Sequence, residues 1–217
     1  MSVIFKPERY LLNKQIKKFS GYMKGDILDV GSGKSDRYSR LFKFNKYVRL
    51  DIDQVCEPDI VADAQNIPLP DQSFDSIIST QGLEHMPNPS KAILEFYRLL
   101  RNNGCCLITV PFFNELHEEP HDYWRFTKYS LEMMFKEAGF NIISIEPRGG
   151  FFAVIAQLFT RYLINRFSLF SSSFGAVVNP FLKTFGLAMV WLDKIDKSRS
   201  NRKFSIGWIV VALKINR

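Results

Sequence analysis

Three histidines, His85, His117 and His121, are the only imidazole side chains in the chain, and each could accept a proton near neutral pH. His85 follows a predicted strand over residues 76–80, and the other two follow a predicted strand over residues 105–110. If both strands are parallel, their carboxyl ends meet at the sheet edge where such folds bind ligands. We therefore take the three histidines as candidate catalytic bases.

The spacing of His117 and His121 also fits the His-Glu-x-x-His pattern of zinc peptidases, which requires both rings on one helix face. Pro120 lies inside this spacing, removes a backbone donor and disfavours helix at Glu119. No apolar helical period surrounds the motif, and no third ligand is evident. The sequence therefore predicts a polar loop and no metal site.

A second stretch that could bind a ligand lies earlier in the chain, where an apolar run ends at a glycine turn. The run predicts a buried strand over residues 27–30, and the glycines allow a tight turn and close approach to a ligand. A basic helix is predicted over residues 36–44, with free N–H groups at its start. A phosphate loop would need glycine at Leu28, and the Asp29 carboxylate would repel a triphosphate. A dinucleotide fingerprint would need a third glycine at Asp36.

The segment Leu28-Asp29-Val30-Gly31-Ser32-Gly33 resembles the first motif of the class I S-adenosylmethionine-dependent methyltransferases. In that family the acidic residue and the glycine backbone hold the methionine part of the cofactor. The resemblance assigns this cofactor-binding role to Asp29, Gly31, Ser32 and Gly33. It implies an α/β, Rossmann-like, doubly wound and mostly parallel seven-stranded sheet with helices on both faces.

Later segments continue the resemblance in the family's order. Asp51 ends the next predicted strand, where a Rossmann-like fold bonds the ribose hydroxyls. Asp63 and Ala64 match the segment that meets the adenine, and Gln81 is expected near the reacting end of the cofactor. Residues 67–80 resemble the small-molecule branch that contains quinone-biosynthesis methyltransferases.

The loop at residues 114–127 resembles one found in bacterial methyltransferases linked to surface-polysaccharide or natural-product synthesis. The resemblance implies a cover over the acceptor pocket, with Tyr123 and Arg125 binding the substrate. Packing of Tyr123, Trp124 and Phe126 as core remains open. The implied activity is methyl transfer by in-line displacement to a small-molecule or lipid- or saccharide-linked acceptor. A non-catalytic adenosyl-ligand-binding or assembly protein with this fold is the alternative.

Length, composition and charge limit the number of domains, the cellular location and the kinds of partner. The 217 residues fit one domain, residues 1–217, and the three cysteines show no disulfide framework. Residues 1–10 lack an apolar core, so we predict no signal peptide and a cytoplasmic location. The net charge of +7 is uneven, because residues 147–217 carry 11 basic and two acidic side chains. Such a region can face nucleic acid or an anionic membrane.

Residues 147–203 are expected to form a helical, phenylalanine-rich, basic insertion before a last strand at residues 204–213. A second helix of the insertion is predicted to begin at Pro180 and to run over residues 181–197. Neither helix has 18 uninterrupted apolar residues, so we predict no membrane span. A lid, a homodimer interface and a peripheral contact of residues 151–203 with the inner face of an anionic membrane stay open. Nucleic acid is disfavoured, because no stacking module is recognisable.

Overall fold

The computed structural model describes residues 4–171 and 174–215. The chain forms two compact units. We call one the helical unit, which comprises Met1–Gln15, Phe112–His117 and Pro147–Gly207. The other, the sheet unit, comprises Ile16–Pro111, Glu118–Glu146 and Trp208–Arg217. A single domain over residues 1–217 stays a prediction.

One seven-stranded sheet has the order β3-β2-β1-β4-β5-β7-β6. The strands are β1 Asp26–Val30, β2 Lys46–Asp51, β3 Ile60–Val61, β4 Phe74–Thr80, β5 Leu100–Pro111, β6 Asn141–Pro147 and β7 Gly207–Leu213. The pairs β1–β2, β1–β4, β2–β3 and β4–β5 are parallel. The start of β5 meets the end of β7, since Asn103 N donates to Lys214 O at 2.8 Å, so that pair is antiparallel. The predicted doubly wound, mostly parallel sheet is confirmed.

Central strands form because their apolar side chains are covered on both faces, as expected of parallel sheets. Ile27, Leu28 and Val30 of β1 are fully buried. The register of β1 and β2 pairs Val30 with Leu50, so both strands end at the same edge. This edge carries the glycine turn and the acids that follow each strand.

Five α-helices are described: α1 Pro7–Phe19, α2 Pro89–Leu99, α3 Lys128–Glu137, α4 Phe151–Arg166 and α5 Phe174–Ile195. In the sheet unit, the sequence pattern predicts a helix over residues 130–138 capped by Ser130, but the N-cap residue of α3 is Thr127. The Thr127 hydroxyl accepts from Ser130 N, and the Ser130 hydroxyl accepts from Thr127 N, which forms a capping box.

The helix predicted over residues 36–44 is wrong, because the structure has only a short 3₁₀ turn, Ser39–Leu41. The Ser39 hydroxyl donates to the Asp36 carboxylate, a local bond that competes with helix. A helix would also make like-charged i,i+3 neighbours of each consecutive pair in the series Lys34, Arg37, Arg40 and Lys43. The glycine turn therefore opens no helix in this protein.

In the helical unit, α4 and α5 pack around two small apolar clusters. One contains Ile164 and Leu182, and the other contains Val154 and Val190. The predicted start of α5 at Pro180 is wrong, since the helix is already formed from Phe174 and Pro180 lies inside it. A proline in the second turn removes one backbone hydrogen bond, and the Thr184 hydroxyl donates to the Pro180 carbonyl from the next turn.

Helix α5 is long and apolar enough to cross a membrane, contrary to the sequence expectation. Length and composition are the only grounds, and a core helix of a soluble protein can meet both. Only 22% of its most apolar window is buried, however, so α5 is not an ordinary core helix.

Candidate active site

Asp29 lies at the base of the glycine turn, buried near the end of β1. Its Oδ2 accepts a hydrogen bond from the Tyr47 hydroxyl at 2.7 Å, while its buried Oδ1 has no partner among the described residues. Burial raises the pKa of Asp29 to about 7, against the opposing effects of the Tyr47 hydrogen bond and the Arg49 charge. An unpartnered buried carboxylate oxygen is costly unless a donor or cation binds it.

The glycine turn is fastened to the end of β2. Gly31 N and Ser32 N both donate to the Leu50 carbonyl, at 2.9 and 3.3 Å. Gly33 N donates to Asp51 Oδ2 at 2.8 Å. Gly31 and Gly33 have positive φ, +69° and +60°, which favours glycine at both positions. A side-chain methyl at Gly33 would meet no atom within 4 Å, so the backbone there faces open space.

Asp51 joins the turn to the next strand end. Its second oxygen, Oδ1, accepts from Asp53 N at 3.0 Å, and its carbonyl accepts from Ala62 N at 3.0 Å. The carboxylate is only partly buried. Each of its oxygens can accept more than one hydrogen bond, so Asp51 can still accept from a ligand.

Asp63 and Ala64 follow β3, which lies beside β2 in the sheet. The Asp63 carboxylate is exposed and accepts from the backbone and side-chain nitrogens of Gln65. Ala64 is buried. The Gln65 side-chain oxygen accepts from Asn88 N, which connects this turn to the start of α2.

The chain after β4 packs against the glycine turn. Gly82 approaches Gly31 closely, because a Cβ on Gly82 would lie 3.8 Å from Gly31 Cα. Gln81 precedes it at the positive φ of +55°, and its side-chain amide donates to Glu84 Oε1 at 3.1 Å. Glu84 is fully buried. Gln81 is thus held beside the turn that carries Gly31.

Two of the three histidines are brought together in the sheet unit. His85 Nδ1 lies 2.8 Å from the His121 carbonyl oxygen, which can only accept, so the proton of a neutral His85 ring is on Nδ1. His85 Nε2, then the basic nitrogen, is 3.6 Å from Glu118 Oε2. His121 Nδ1 pairs with the Tyr123 hydroxyl at 2.9 Å. His117 belongs to the helical unit, where its Nδ1 bonds the Glu115 carbonyl at 3.2 Å.

The loop that follows is held to the turn after β4. Tyr123 N and Trp124 N donate to the Glu84 carbonyl at 3.0 and 3.2 Å, and Trp124 Nε1 donates to the Met86 carbonyl. Of the three aromatic residues proposed as core, Phe126 is buried, whereas Tyr123 and Trp124 are exposed. Tyr123 as a substrate-binding residue stays a prediction.

Arg125 forms an ion pair with Asp122, three residues earlier in the chain. Its guanidinium forms two 2.6 Å hydrogen bonds with the Asp122 carboxylate. The described loop at residues 114–127 contains no helix, so its two histidines do not share a helix face. The Glu119–Pro120 peptide bond is cis.

The donor and acceptor set fits an adenosyl ligand without phosphates. Asp29, Asp51 and Asp63 offer carboxylate oxygens to a cation, to hydroxyls and to an amino group. The three N–H groups of the glycine turn donate within the protein, and no helix follows the turn to attract an anion. Both features disfavour a phosphate ligand at this edge.

Three residues with a part in this geometry lie outside the sequence-based assignments: Tyr47, Glu84 and Asp122. Glu84 had a visible signal, an acid among apolar neighbours between Gln81 and His85. Tyr47 had none, because its contact with Asp29 depends on the alignment of β1 and β2.

Residues 28–108 match the family model described as a methyltransferase domain. The chain is 32% identical over 113 residues to an uncharacterised protein of Methanocaldococcus jannaschii, covering 48% of this chain and 41% of that protein. It is 31% identical over 91 residues to the chloroplastic 2-methyl-6-phytyl-1,4-hydroquinone methyltransferase 2 of Oryza sativa subsp. japonica, covering 40% and 26%. The chain thus spans less than half the length of these curated relatives.

A solved structure is similar over nearly the whole chain. Phosphoethanolamine N-methyltransferase 2 of Haemonchus contortus, in complex with S-adenosyl-L-methionine, has a TM-score of 0.60 at 20% identity. The match covers 97% of this chain and 56% of that one. At this identity the likeness establishes the fold alone.

Proposed function

The chain belongs to the class I S-adenosylmethionine-dependent methyltransferases, and we propose that it transfers a methyl group from that cofactor to a small-molecule acceptor. One observation carries the proposal: the buried Asp29, with one oxygen unpartnered, lies under a glycine turn that is tied to Asp51. This pair of acids at neighbouring strand ends suits a cationic, hydroxyl-bearing ligand.

Each binding role follows from what a residue can donate or accept. Asp29 and the turn from Gly31 to Gly33 would hold the charged methionine end, since Asp29 Oδ1 is a buried acceptor. Asp51 would accept from the ribose hydroxyls. The exposed Asp63 carboxylate would accept from the adenine amino group, with Ala64 against the ring, and Gln81 would lie near the reacting end.

When bound, S-adenosylmethionine supplies a methyl group on a sulfonium, already activated for displacement. The work of the chain is therefore to orient the acceptor, which can contribute several kcal/mol to lowering the barrier. If the acceptor is a hydroxyl, His85 is the best-placed base, because its hydrogen bond to the His121 carbonyl leaves Nε2 as the basic nitrogen. The Glu118 carboxylate lies 3.6 Å from Nε2.

The acceptor is proposed at a finer level as lipid-linked or saccharide-linked. The rice relative is named for a phytyl hydroquinone, which carries a lipid-like chain. The exposed Tyr123, paired with His121, offers a ring and a hydroxyl to such an acceptor. Arg125 would act there through the loop that its ion pair with Asp122 holds in place.

The binding test compares Asp51→Ala with wild type by isothermal titration calorimetry with S-adenosylmethionine. Leaving buried ligand groups unpaired should weaken binding by about 1–3 kcal/mol, or about 5- to 150-fold. Asp59→Ala is the matched control, because Asp59 also accepts from a backbone N–H, that of Arg49, but away from the turn. Equal affinity of Asp51→Ala and wild type would remove Asp51 from the ribose role. Mass spectrometry of co-purified ligand offers a second check, and a bound nucleoside triphosphate would contradict the proposal.

The test of the base uses turnover once an acceptor is identified. His85→Ala should lower kcat by about 10²- to 10⁴-fold for a hydroxyl acceptor, the usual contribution of a positioned base. The His117→Ala, His121→Ala double variant should retain more turnover than His85→Ala. If His85→Ala turns over at the wild-type rate, the ring of His85 takes no proton in the reaction.

A further inference from the structure

One side of α4 exposes an apolar stripe. Its members share one helix face at intervals of three or four residues, and they are Phe151, Ile155, Leu158, Phe159 and Tyr162. The opposite face is buried and includes Ala153, Gln157, Thr160 and Ile164. A helix of a soluble domain normally exposes polar residues to solvent. The exposed face of α4 is apolar instead.

Helix α5 has a stripe of the same kind. Every exposed residue at heptad-like spacing along it is uncharged, and the series is Phe174, Val177, Phe181, Thr184, Ala188, Trp191 and Ile195. Phe181 is 60% exposed and Trp191 59%. The stripe covers the full length of α5, about 31 Å at 1.5 Å per residue.

Aromatic contacts join the two stripes into one surface. The Phe159 ring of α4 packs edge-on against Phe185 of α5 with centroids 5.3 Å apart. Phe185 stacks in turn with the exposed Phe181 at 6.3 Å. We call the combined stripes the apolar face. A contiguous exposed patch of this kind marks an interaction site in a soluble protein.

Helix α5 is anchored on its other side and at both ends. Gly175, Leu182, Gly186 and Val190 are its buried residues. Near its start, the Asn179 side chain accepts from Phe5 N at 2.7 Å. Near its end, Asp193 accepts from backbone N–H groups at the start of α4. A membrane-spanning position would break these contacts, so α5 is suited to lie along a surface.

Positive charge borders the apolar face. Five exposed basic residues follow α5 or end it, against the acids Asp193 and Asp196: Lys194, Lys197, Arg199, Arg202 and Lys203. A cavity of about 430 Å³ lies along α4 and has mixed charge, with a lining of Leu158, Tyr162, Asn165, Arg161, Arg166 and Glu115. Arg161 is paired with Glu115, while Arg166 is exposed.

We propose that the apolar face of α4 and α5 docks on the surface of an anionic lipid bilayer, without spanning it. Phenylalanine, tyrosine and tryptophan rings would enter the boundary between headgroups and acyl chains, as amphipathic interfacial helices do. The basic residues from Lys194 to Lys203 would lie against anionic headgroups.

The charge around the apolar face favours an anionic bilayer, and not a second copy of this chain, as the partner that covers it. The border of the apolar face, from Lys194 to Lys203, is mostly basic, so two copies meeting through this face with their borders in contact would bring like charges together. Like-charge contact across an interface disfavours association. An anionic surface supplies the complementary charge over the same region.

The test uses the full-length protein with vesicles of equal parts phosphatidylglycerol and phosphatidylcholine, and with phosphatidylcholine alone. Co-sedimentation should be strong with the anionic vesicles and weak with the neutral ones. It should decrease in 1 M salt, where the screening length falls from about 10 Å at 0.1 M to about 3 Å. Brominated lipid should quench the fluorescence of Trp191, and this quenching should disappear in Trp191→Phe.

Two variants separate the apolar and charged parts. Phe181→Ser should lower vesicle binding about tenfold or more, the scale of losing one buried aromatic ring. Tyr129→Ser is its control, since Tyr129 is at least as exposed, 68% against 60%, but lies on α3. The Lys197→Glu, Arg199→Glu, Lys203→Glu variant should lower binding by about a hundredfold or more. Its control reverses the exposed Lys17, Lys43 and Lys91 outside the region.

Three results would overturn the proposal. The first is no binding of wild type to anionic vesicles at low salt. The second is equal loss of binding in each variant and its control. The third is a concentration-dependent dimer, measured by sedimentation velocity, that Phe181→Ser dissociates while wild type ignores the vesicles. Thermal unfolding by circular dichroism checks that each variant is folded.

Discussion

Helices in the two units are capped in different ways. In the sheet unit, each cap comes from the adjacent residues: Asn88 accepts from Lys91 N at the start of α2, and Thr127 and Ser130 cap α3. In the helical unit, Gly150 precedes α4 and supplies no side chain.

The cap of α4 comes from another helix. The Asp193 carboxylate of α5 accepts from Gly150 N, Phe152 N and Ala153 N at 2.7 to 3.1 Å. The charge of Asp193 also suits the positive end of the α4 dipole. The comparison shows that the sheet unit ends its helices with local motifs, whereas the helical unit needs its tertiary structure to do so.

Asp29 in the sheet unit depends on tertiary burial and not on a local motif, and we expect it to have the largest effect on stability. Burial raises its pKa to about 7 from an ordinary value of 3.8, so the native protein retains a proton that the unfolded chain loses. The stabilising contribution is complete below about pH 4 and is lost as the pH rises through 7. Between pH 5 and pH 8 the loss should be about 3 kcal/mol, and Asp29→Asn should abolish it.

Urea unfolding of both proteins at pH 5 and pH 8 measures this difference. Glu119→Gln, which removes an exposed acid, should follow the wild type. Parallel changes in wild type and Asp29→Asn would mean that Asp29 is ionised throughout this pH range.

Asp193→Ala tests the remote cap. Removing the acceptor of three backbone N–H groups should lower the free energy of unfolding by about 2 kcal/mol. Asp196→Ala is the control, because Asp196 is close by and accepts from a single backbone N–H, that of Ser198. Cofactor affinity measured by calorimetry should be unchanged in Asp193→Ala. Equal destabilisation by both substitutions would show that the three bonds to α4 add nothing.

Thr127→Ala tests the local cap and should have the smallest effect, about 1 kcal/mol in chemical unfolding. Thr184→Ala is the matched control, since its hydroxyl donates to the Pro180 carbonyl inside α5 and caps no helix start. A control that loses as much stability as Thr127→Ala would count against the capping box.

The same contrast explains what the sequence could predict of the fold. Several strand positions follow from apolar runs, whereas the seven-stranded, mostly parallel sheet was implied by the family resemblance. The placement of β7 between β5 and β6 follows from neither run lengths nor connections. Helix starts were also hard to predict. Thr127 and Ser130 both have cap chemistry, and only the structure shows which precedes the helix. Pro180 is a common first helical residue, yet contacts elsewhere, such as Asn179 with Phe5, extend α5 beyond it.

The candidate site shows the same contrast between local motifs and contacts that join distant segments. Asp29, Asp51 and the glycines belong to one continuous motif with a fixed spacing, so their proximity could be inferred. The bond from Tyr47 to Asp29 and the bond from His85 to the His121 carbonyl join segments that no local pattern relates. The placement of His117 in the other unit was equally invisible.

The position of β7 has a consequence for synthesis on the ribosome. This strand comes last in chain order but lies between β5 and β6. Until it emerges, a nascent chain presents two unpaired strand edges, and both can recruit other chains. A message truncated before residue 207 would therefore yield an aggregation-prone product. We expect loss of β7 to lower the amount of soluble protein as well as its activity.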